Sequence, residues 1–435
     1  MSDLRGVRWR RWRSLRATDR KLRVLLSEGS STSAREAVTI LGLQGHTVEI
    51  CDPNPHCLAR FSRFVAKFHC CPGLGIDPHG YTSFILDLVR SRKFDVLLPI
   101  HEQGLALSKV RDELVRHVAV ALPAFESYER AFSKVGFSTV LSELGLTQPV
   151  TRIVETTHQI RSADRFPVVL KTSIGTASRG VWIVRSDAEL QKLVDELELD
   201  GSLYDPILIQ EWVDGALEQS QAIFDHGRLT AVHSYRHVLR GAGGGAAVKE
   251  SVYRPQAGLD LGRIGGLLSW HGALSVDYLV PPGDKSLYYI DCNPRLVEPM
   301  SAWLADNDLL EILLRVTLGR PLPPLRAPLP GVRTHLAMQA LIGCADRTQS
   351  RIELFRECWR LAFGGGIYRR SQEELTPIRS DWPSFIPLGS VIVWLALRPL
   401  AARELHRKGW GEHLLNSESV RRIRRGFDPK NGIEE

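Results

Sequence analysis

Ser275-Val-Asp-Tyr-Leu-Val280 and Leu287-Tyr-Tyr-Ile-Asp-Cys-Asn293 decide how this chain is read, because these two runs flank Pro281-Pro-Gly-Asp-Lys-Ser286. Apolar, β-branched and aromatic residues on both sides of a turn-forming cluster predict a hairpin. Folded about Asp284, it sets Asp277 opposite Asp291, and the two-residue period of a strand puts Asn293 on the side of Asp291. Facing carboxylates repel. A hard divalent cation answers that repulsion, and oxygen ligands suit Mg2+, which takes one or two carboxylates and completes its octahedron with phosphate oxygens and water. Two solvated acids on an exposed hairpin would carry the same letters, so the surrounding chain has to decide.

Upstream, Phe166-Pro-Val-Val-Leu-Lys171 reads as an apolar strand and Val181-Trp-Ile-Val184 as its neighbour, joined by Thr172-Ser-Ile-Gly-Thr-Ala-Ser-Arg-Gly180. A loop of glycine and small hydroxyl residues brings backbone N–H groups close to phosphate oxygens. Lys171 ends a strand that is otherwise apolar, where a buried ammonium wants an anionic partner. Arg295 follows a proline that stiffens the chain, and its planar fork of donors suits a carboxylate or a transferring phosphoryl group.

Asp291-Cys-Asn-Pro-Arg295 resembles the acidic-x-Asn-Pro-Arg signature of ATP-grasp enzymes, of the carbamoyl-phosphate-synthase-like or carboxylate–amine ligase type. Phe166–Lys171 and the loop to Gly180 look like that family's phosphate-binding strand and loop. Ala131-Phe-Ser-Lys134 looks like its first lysine at the start of a helix ending near Glu143, and Ile209-Gln-Glu-Trp-Val-Asp-Gly215 like the linker that hydrogen-bonds adenine. The likeness runs over about residues 24–325, in order and in spacing.

The resemblance implies that ATP lies between two lobes, with Lys134, Lys171, Ser173, Gly175, Ser178 and Gly180 around its phosphates. Gln210, Glu211 and Val213 would lie at the adenine, and Glu218 would hold the ribose. It implies Mg2+ or Mn2+ on Asp277, Asp291 and Asn293, and catalytic roles for Lys171 and Arg295. The implied reaction is phosphorylation of a carboxylate, followed by attack of an amine on the acyl phosphate, with ADP and phosphate released. Phosphoryl transfer of this kind rests on positioning and electrostatics. Asp277 and Asp291 stand where the family more often has glutamate, which shortens the metal-binding arm. A bicarbonate-phosphorylating carboxylase or carbamoyl-phosphate-type enzyme is the alternative, and a noncatalytic nucleotide binder a third reading.

A second glycine-rich stretch, Arg240-Gly-Ala-Gly-Gly-Gly-Ala-Ala-Val-Lys249, lacks the helix and acidic residue of a dinucleotide site and reads as a mobile substrate loop. His233, Arg236 and Lys249 are candidate substrate contacts there, as is Glu102 in His101-Glu-Gln103, which follows the apolar strand Phe94–Ile100 at its carboxyl end.

Strands alternate with helical stretches from Leu22 to Leu122, which predicts a parallel sheet. The expected architecture is α/β and multidomain: a basic tail over 1–23, a Rossmann-like domain over 24–122, a two-lobed α+β ATP-grasp domain over 123–325, and a mostly helical extension over 326–435. Length of 435 residues and an ordinary apolar fraction fit a multidomain soluble enzyme. Seven cysteines, an odd number with no secretory signal before them, do not form a disulfide framework, so a cytoplasmic location is expected. Cys51, His56, Cys57, His69, Cys70 and Cys71 lack the paired spacing of a zinc site.

Much of the net charge of +7 sits in the two ends of the chain. Arg5-Gly-Val-Arg-Trp-Arg-Arg-Trp-Arg13 and Arg421-Arg-Ile-Arg-Arg425 leave peripheral membrane contact through basic tails open, while specific nucleic-acid binding is not expected. Phe385–Leu397 is apolar but short for a bilayer span, and reads as a buried or interfacial helix. The expected partners are small-molecule carboxylate and amine substrates.

Overall fold

The computed structural model describes residues 20–175, 179–199, 205–402 and 413–426. Ser178 and most of the N-terminal basic tail lie outside the described residues. Three sheets organise the chain, and each draws on a consecutive set of strands.

The first sheet contains β1 (Arg23–Leu26), β2 (Thr47–Asp52), β3 (Val65–Cys70) and β4 (Val96–Leu98) in the order β3-β2-β1-β4, all parallel. Parallel strands need crossovers, supplied here by helices Thr32–Leu43 and Pro78–Ser91. The first starts where Ser31 accepts a hydrogen bond from Ala34 N at 3.0 Å, and the second where Asp77 and Pro78 cap it. His69, Cys70 and Cys71 fall on β3 and its exit, a strand the sequence did not reveal.

The second sheet contains β5 (Thr151–Val154), β6 (Val168–Thr172), β7 (Val181–Val184) and β8 (Ile207–Glu211), ordered β5-β8-β6-β7 and antiparallel. Helix Asp187–Leu199 closes its apolar face through Leu190, Val194 and Leu197.

The third sheet is built from β9 (Ala216–Asp225), β10 (Arg228–Arg240), β11 (Ala246–Val252), β12 (Gly272–Val280), β13 (Tyr288–Asn293), β14 (Arg333–His335) and β15 (Gln372–Glu373), ordered β13-β12-β9-β10-β11-β14-β15. β14 and β15 extend it beyond residue 325, and the remainder of that segment is mainly helices Ala337–Thr348, Arg351–Phe363, Phe385–Leu397 and Ser417–Arg425. One apolar cluster runs from Val24 and Val38 to Ile223, Trp303 and Leu313, so the first and third sheets share a core. The glycine-rich stretch after Arg240 is not an open loop: Gly241 N donates to Gly245 O at 2.7 Å, and β10 pairs back onto β11.

Candidate functional site

The hairpin forms as its sequence implies. Asp284 N donates to Pro281 O and Ser286 N to Asp284 Oδ1, with Gly283 at φ 78°, which closes the connection. β12 and β13 then pair with Asp277 opposite Asp291 and Ser275 opposite Asn293. β9 lies on the other side of β12 and brings Gln219 opposite Asp277, where its Nε2 donates to Asp277 Oδ1 at 2.5 Å.

Burial, and then the nearby Asp291 carboxylate, push Asp277 up to about 7. Gln219, Arg295 and Lys171 pull in the opposite direction without restoring an ordinary carboxyl. Such a pair is short of positive charge at its centre, which is what a divalent cation supplies. Asn293 Oδ1 accepts from Arg295 Nη2 at 3.2 Å, and Ser275 Oγ holds Arg295 O at 2.7 Å, so the arginine is fixed beside the acids.

Lys171 reaches this hairpin from the second sheet. Its Nζ donates to Ile290 O at 2.7 Å, and burial lowers its pKa to about 8 against the pull of Asp291. Lys134 is the first residue of helix Lys134–Glu143, capped by Ser133, and a separate helix Phe125–Phe132 precedes it. Its Nζ donates to Gly175 O and lies 3.9 Å from Asp291 Oδ1. Ser173 and Ser133 share a hydrogen bond of 2.8 Å, and Thr172 N donates to Gly180 O at 2.8 Å across the base of the loop. Lys134, Gly175, Asp291, Asn293 and Arg295 line one cavity together with His101, Glu102 and Tyr128.

Of the residues expected at adenine and ribose, Gln210 is buried with Nε2 donating to Thr151 Oγ1 at 2.8 Å. Glu211 is exposed, its N–H engaged by Val150 O, and Val213 is half-buried. Glu218 is buried and held by both Nε and Nη2 of Arg254 at 2.6 Å, so its carboxylate already has a bidentate partner.

Three expected substrate contacts do not line that cavity. Arg236 pairs at the surface with Glu250, which Arg333 also holds. Lys249 is fully buried between Glu298 and Glu374, the latter at 2.6 Å, because β15, just before Glu374, pairs with β14 at the side of β11. His233 is fully buried in β10, and burial followed by the Lys249 charge lowers it to about 3. Glu102 does line the cavity, and its Oε2 accepts from Leu415 N at 2.6 Å.

Sequence reading missed Gln219 and Tyr128. Gln219 sits 58 positions from Asp277 and meets it only through sheet order; Tyr128 OH donates to Pro294 O at 3.2 Å. Glu298 has φ 54°, a conformation costly for a non-glycine residue, and its carboxylate pairs with Lys249.

No protein-family model matches the chain. It is 24% identical over 211 residues to the carbamoyl phosphate synthase large chain of Deinococcus deserti, 45% of this chain and 20% of that one. It is 27% identical over 171 residues to acetyl-CoA carboxylase 1 of Arabidopsis thaliana, 36% of this chain and 7% of that one. The chain thus matches a fifth or less of the length of these relatives. Among solved structures, the biotin carboxylase domain of Hydrogenobacter thermophilus 2-oxoglutarate carboxylase superposes with TM-score 0.59 and 14% identity, covering 73% of this chain and 74% of that one. Phosphoribosylamine–glycine ligase of Thermotoga maritima gives 0.55 and 17%, covering 72% and 78%. The chain is thus similar in sequence to parts of carbamoyl phosphate synthase and acetyl-CoA carboxylase chains, and similar in fold to a biotin carboxylase domain and a phosphoribosylamine–glycine ligase.

Proposed function

We propose that this chain is an ATP-dependent carboxylate–amine ligase that forms an amide through an acyl phosphate. The observation that carries the reading is the convergence of Asp277, Asp291, Asn293 and Arg295 with Lys134 and Lys171 at one cleft. Asp277, Asp291 and Asn293 would hold Mg2+, which when bound supplies charge neutralisation for the ATP phosphates. The raised pKa of Asp277 beside Asp291 fits a site that awaits a cation. Lys134 and Lys171 would balance phosphate charge, and Arg295 would orient the acceptor carboxylate. His101 and Glu102 also line the cavity and would lie beside the acceptor.

The test is ADP and phosphate release from Mg-ATP with pooled amino acids and small carboxylic acids, comparing the wild type with Asp291→Ala and Arg295→Ala. Acid-dependent release that disappears in both variants supports the ligase. Release that needs bicarbonate alone favours the second reading, to which the names of the carbamoyl phosphate synthase and carboxylase relatives lend weight. ATP binding without release under either condition argues for the noncatalytic reading.

A further inference from the structure

Large apolar side chains that meet solvent are concentrated on two helices late in the chain. Along helix Arg351–Phe363, Ile352, Phe355, Trp359 and Phe363 are 67%, 75%, 62% and 69% exposed. Spacings of three and four residues set them on one helical face. Helix Phe385–Leu397 is almost wholly apolar yet buries only Leu388 and Leu395, leaving Val393, Trp394 and Leu397 outside. Arg351 Nη2 donates to Leu397 O at 2.9 Å, so the start of the first helix lies against the end of the second. An exposed apolar surface of this kind marks a contact with something else.

Charge identifies what it contacts. Arg356, Arg360, Arg369, Arg370, Arg379 and Arg398 are all exposed. Most acids of the same stretch are drawn inward: Glu357 accepts from Tyr368 OH and Arg360, Glu374 from Lys249, and Asp381 from Arg35 and Ser62, while Glu353 stays at the surface paired with Arg356, leaving Arg369, Arg370, Arg379 and Arg398 as the outward cations. Glu357 is 6% exposed, and Glu374 and Asp381 are fully buried. The outer surface is therefore aromatic and cationic. A second copy is a poor occupant, because a two-fold interface sets a patch against itself and arginine against arginine. Exposed aromatic and aliphatic side chains with exposed arginines in the same stretch suit the headgroup layer of an anionic bilayer. Among the described residues no helix is long and apolar enough to cross one, so the contact is peripheral.

We propose that helices Arg351–Phe363 and Phe385–Leu397 form a face that docks on an anionic lipid bilayer, with Phe355, Trp359, Phe363 and Trp394 entering the headgroup boundary and the arginines lying on lipid phosphates. The docking is independent of the ligase reading and is tested without turnover.

Full-length protein is sedimented with vesicles of phosphatidylcholine, alone or mixed with phosphatidylglycerol, alongside a Trp359→Ser/Phe363→Ser/Trp394→Ser variant. Binding to the phosphatidylglycerol vesicles that weakens with salt and falls by about tenfold or more in the variant is the expected result. Because the replaced side chains are largely exposed, the variant should keep the wild-type unfolding temperature. Should it unfold, Phe355→Gln with Trp359→Gln replaces it. Three results overturn the proposal. They are absence of binding or equal binding to pure phosphatidylcholine, binding that survives the substitutions and so belongs to another basic segment, and a wild-type dimer in sedimentation velocity that the substitutions split.

Discussion

Asp277 and Asp291 are register partners on adjacent antiparallel strands, and burial, followed by the facing Asp291 carboxylate, pushes Asp277 up to about 7. In the metal-free protein an acid whose folded pKa is raised from 3.8 to about 7 binds a proton that the unfolded chain does not bind between those values. Stability therefore falls as pH rises from about 4 to about 7 and is level above. Asp277→Asn should remove that slope and stabilise the metal-free protein at neutral pH by on the order of 2–4 kcal/mol, read by chemical denaturation across pH. Mg2+ should stabilise the wild type more at pH 8 than at pH 6, with proton release on binding, and should do little for the variant.

Lys171 defines the alkaline side. Its ammonium is weakened to about 8 by burial, so nucleotide affinity should decline as pH rises past that value. Lys171→Met should weaken Mg-ATP binding by about tenfold to hundredfold, since a charge-assisted hydrogen bond contributes about 1.5–3 kcal/mol, and should abolish the alkaline decline. Calorimetric titration at pH 7 and 9 tests both effects.

Gly180 stands at the end of the loop proposed to hold the ATP phosphates. It has φ 71°, and a Cβ there would meet Thr172 Oγ1 at 2.0 Å. Gly180→Ala should cost about 1–2 kcal/mol of backbone strain and reduce nucleotide affinity by about tenfold. Adding Thr172→Ala should recover part of the loss by removing the hydroxyl, which isothermal titration would register.

Asp381 ties the C-terminal segment to the first sheet's helix. Its Oδ2 accepts from Arg35 at 2.7 Å and Ser62 at 2.6 Å, and Oδ1 from Arg63 N at 2.8 Å, with Arg35 and Asp381 both buried. Removing one member of a buried pair leaves the other charge uncompensated, so Asp381→Ala should destabilise by about 3–5 kcal/mol. A shift of the urea midpoint with little change in slope would confirm it.

The hairpin of Asp277 and Asp291, the strand carrying Lys171 and the parallel first sheet were all legible in the sequence. Each depends on local chemistry: alternation, a turn cluster, or an apolar run ending at a charged residue. The helix over Ala131 to Glu143 was read from a resemblance rather than from local chemistry, and in the structure it starts at Lys134, after a break at Ser133 that caps it. Sheet order was not legible. Nothing in the chain states that β9 lies beside β12, so Gln219 could not be matched to Asp277. Nor does it state that β14 and β15 join the sheet at the side of β11 and bring Glu374 to Lys249, so Lys249 was read as a substrate contact rather than the centre of a buried ion cluster. Sequence placed the apolar run Phe385–Leu397 but could not show which side it buries, since a helix apolar all round leaves that choice to its neighbours. Local composition determined which elements form and which groups could do chemistry; long-range packing decided which of those groups meet, because contacts between distant segments are selected by the energy of the whole core rather than by any stretch of it.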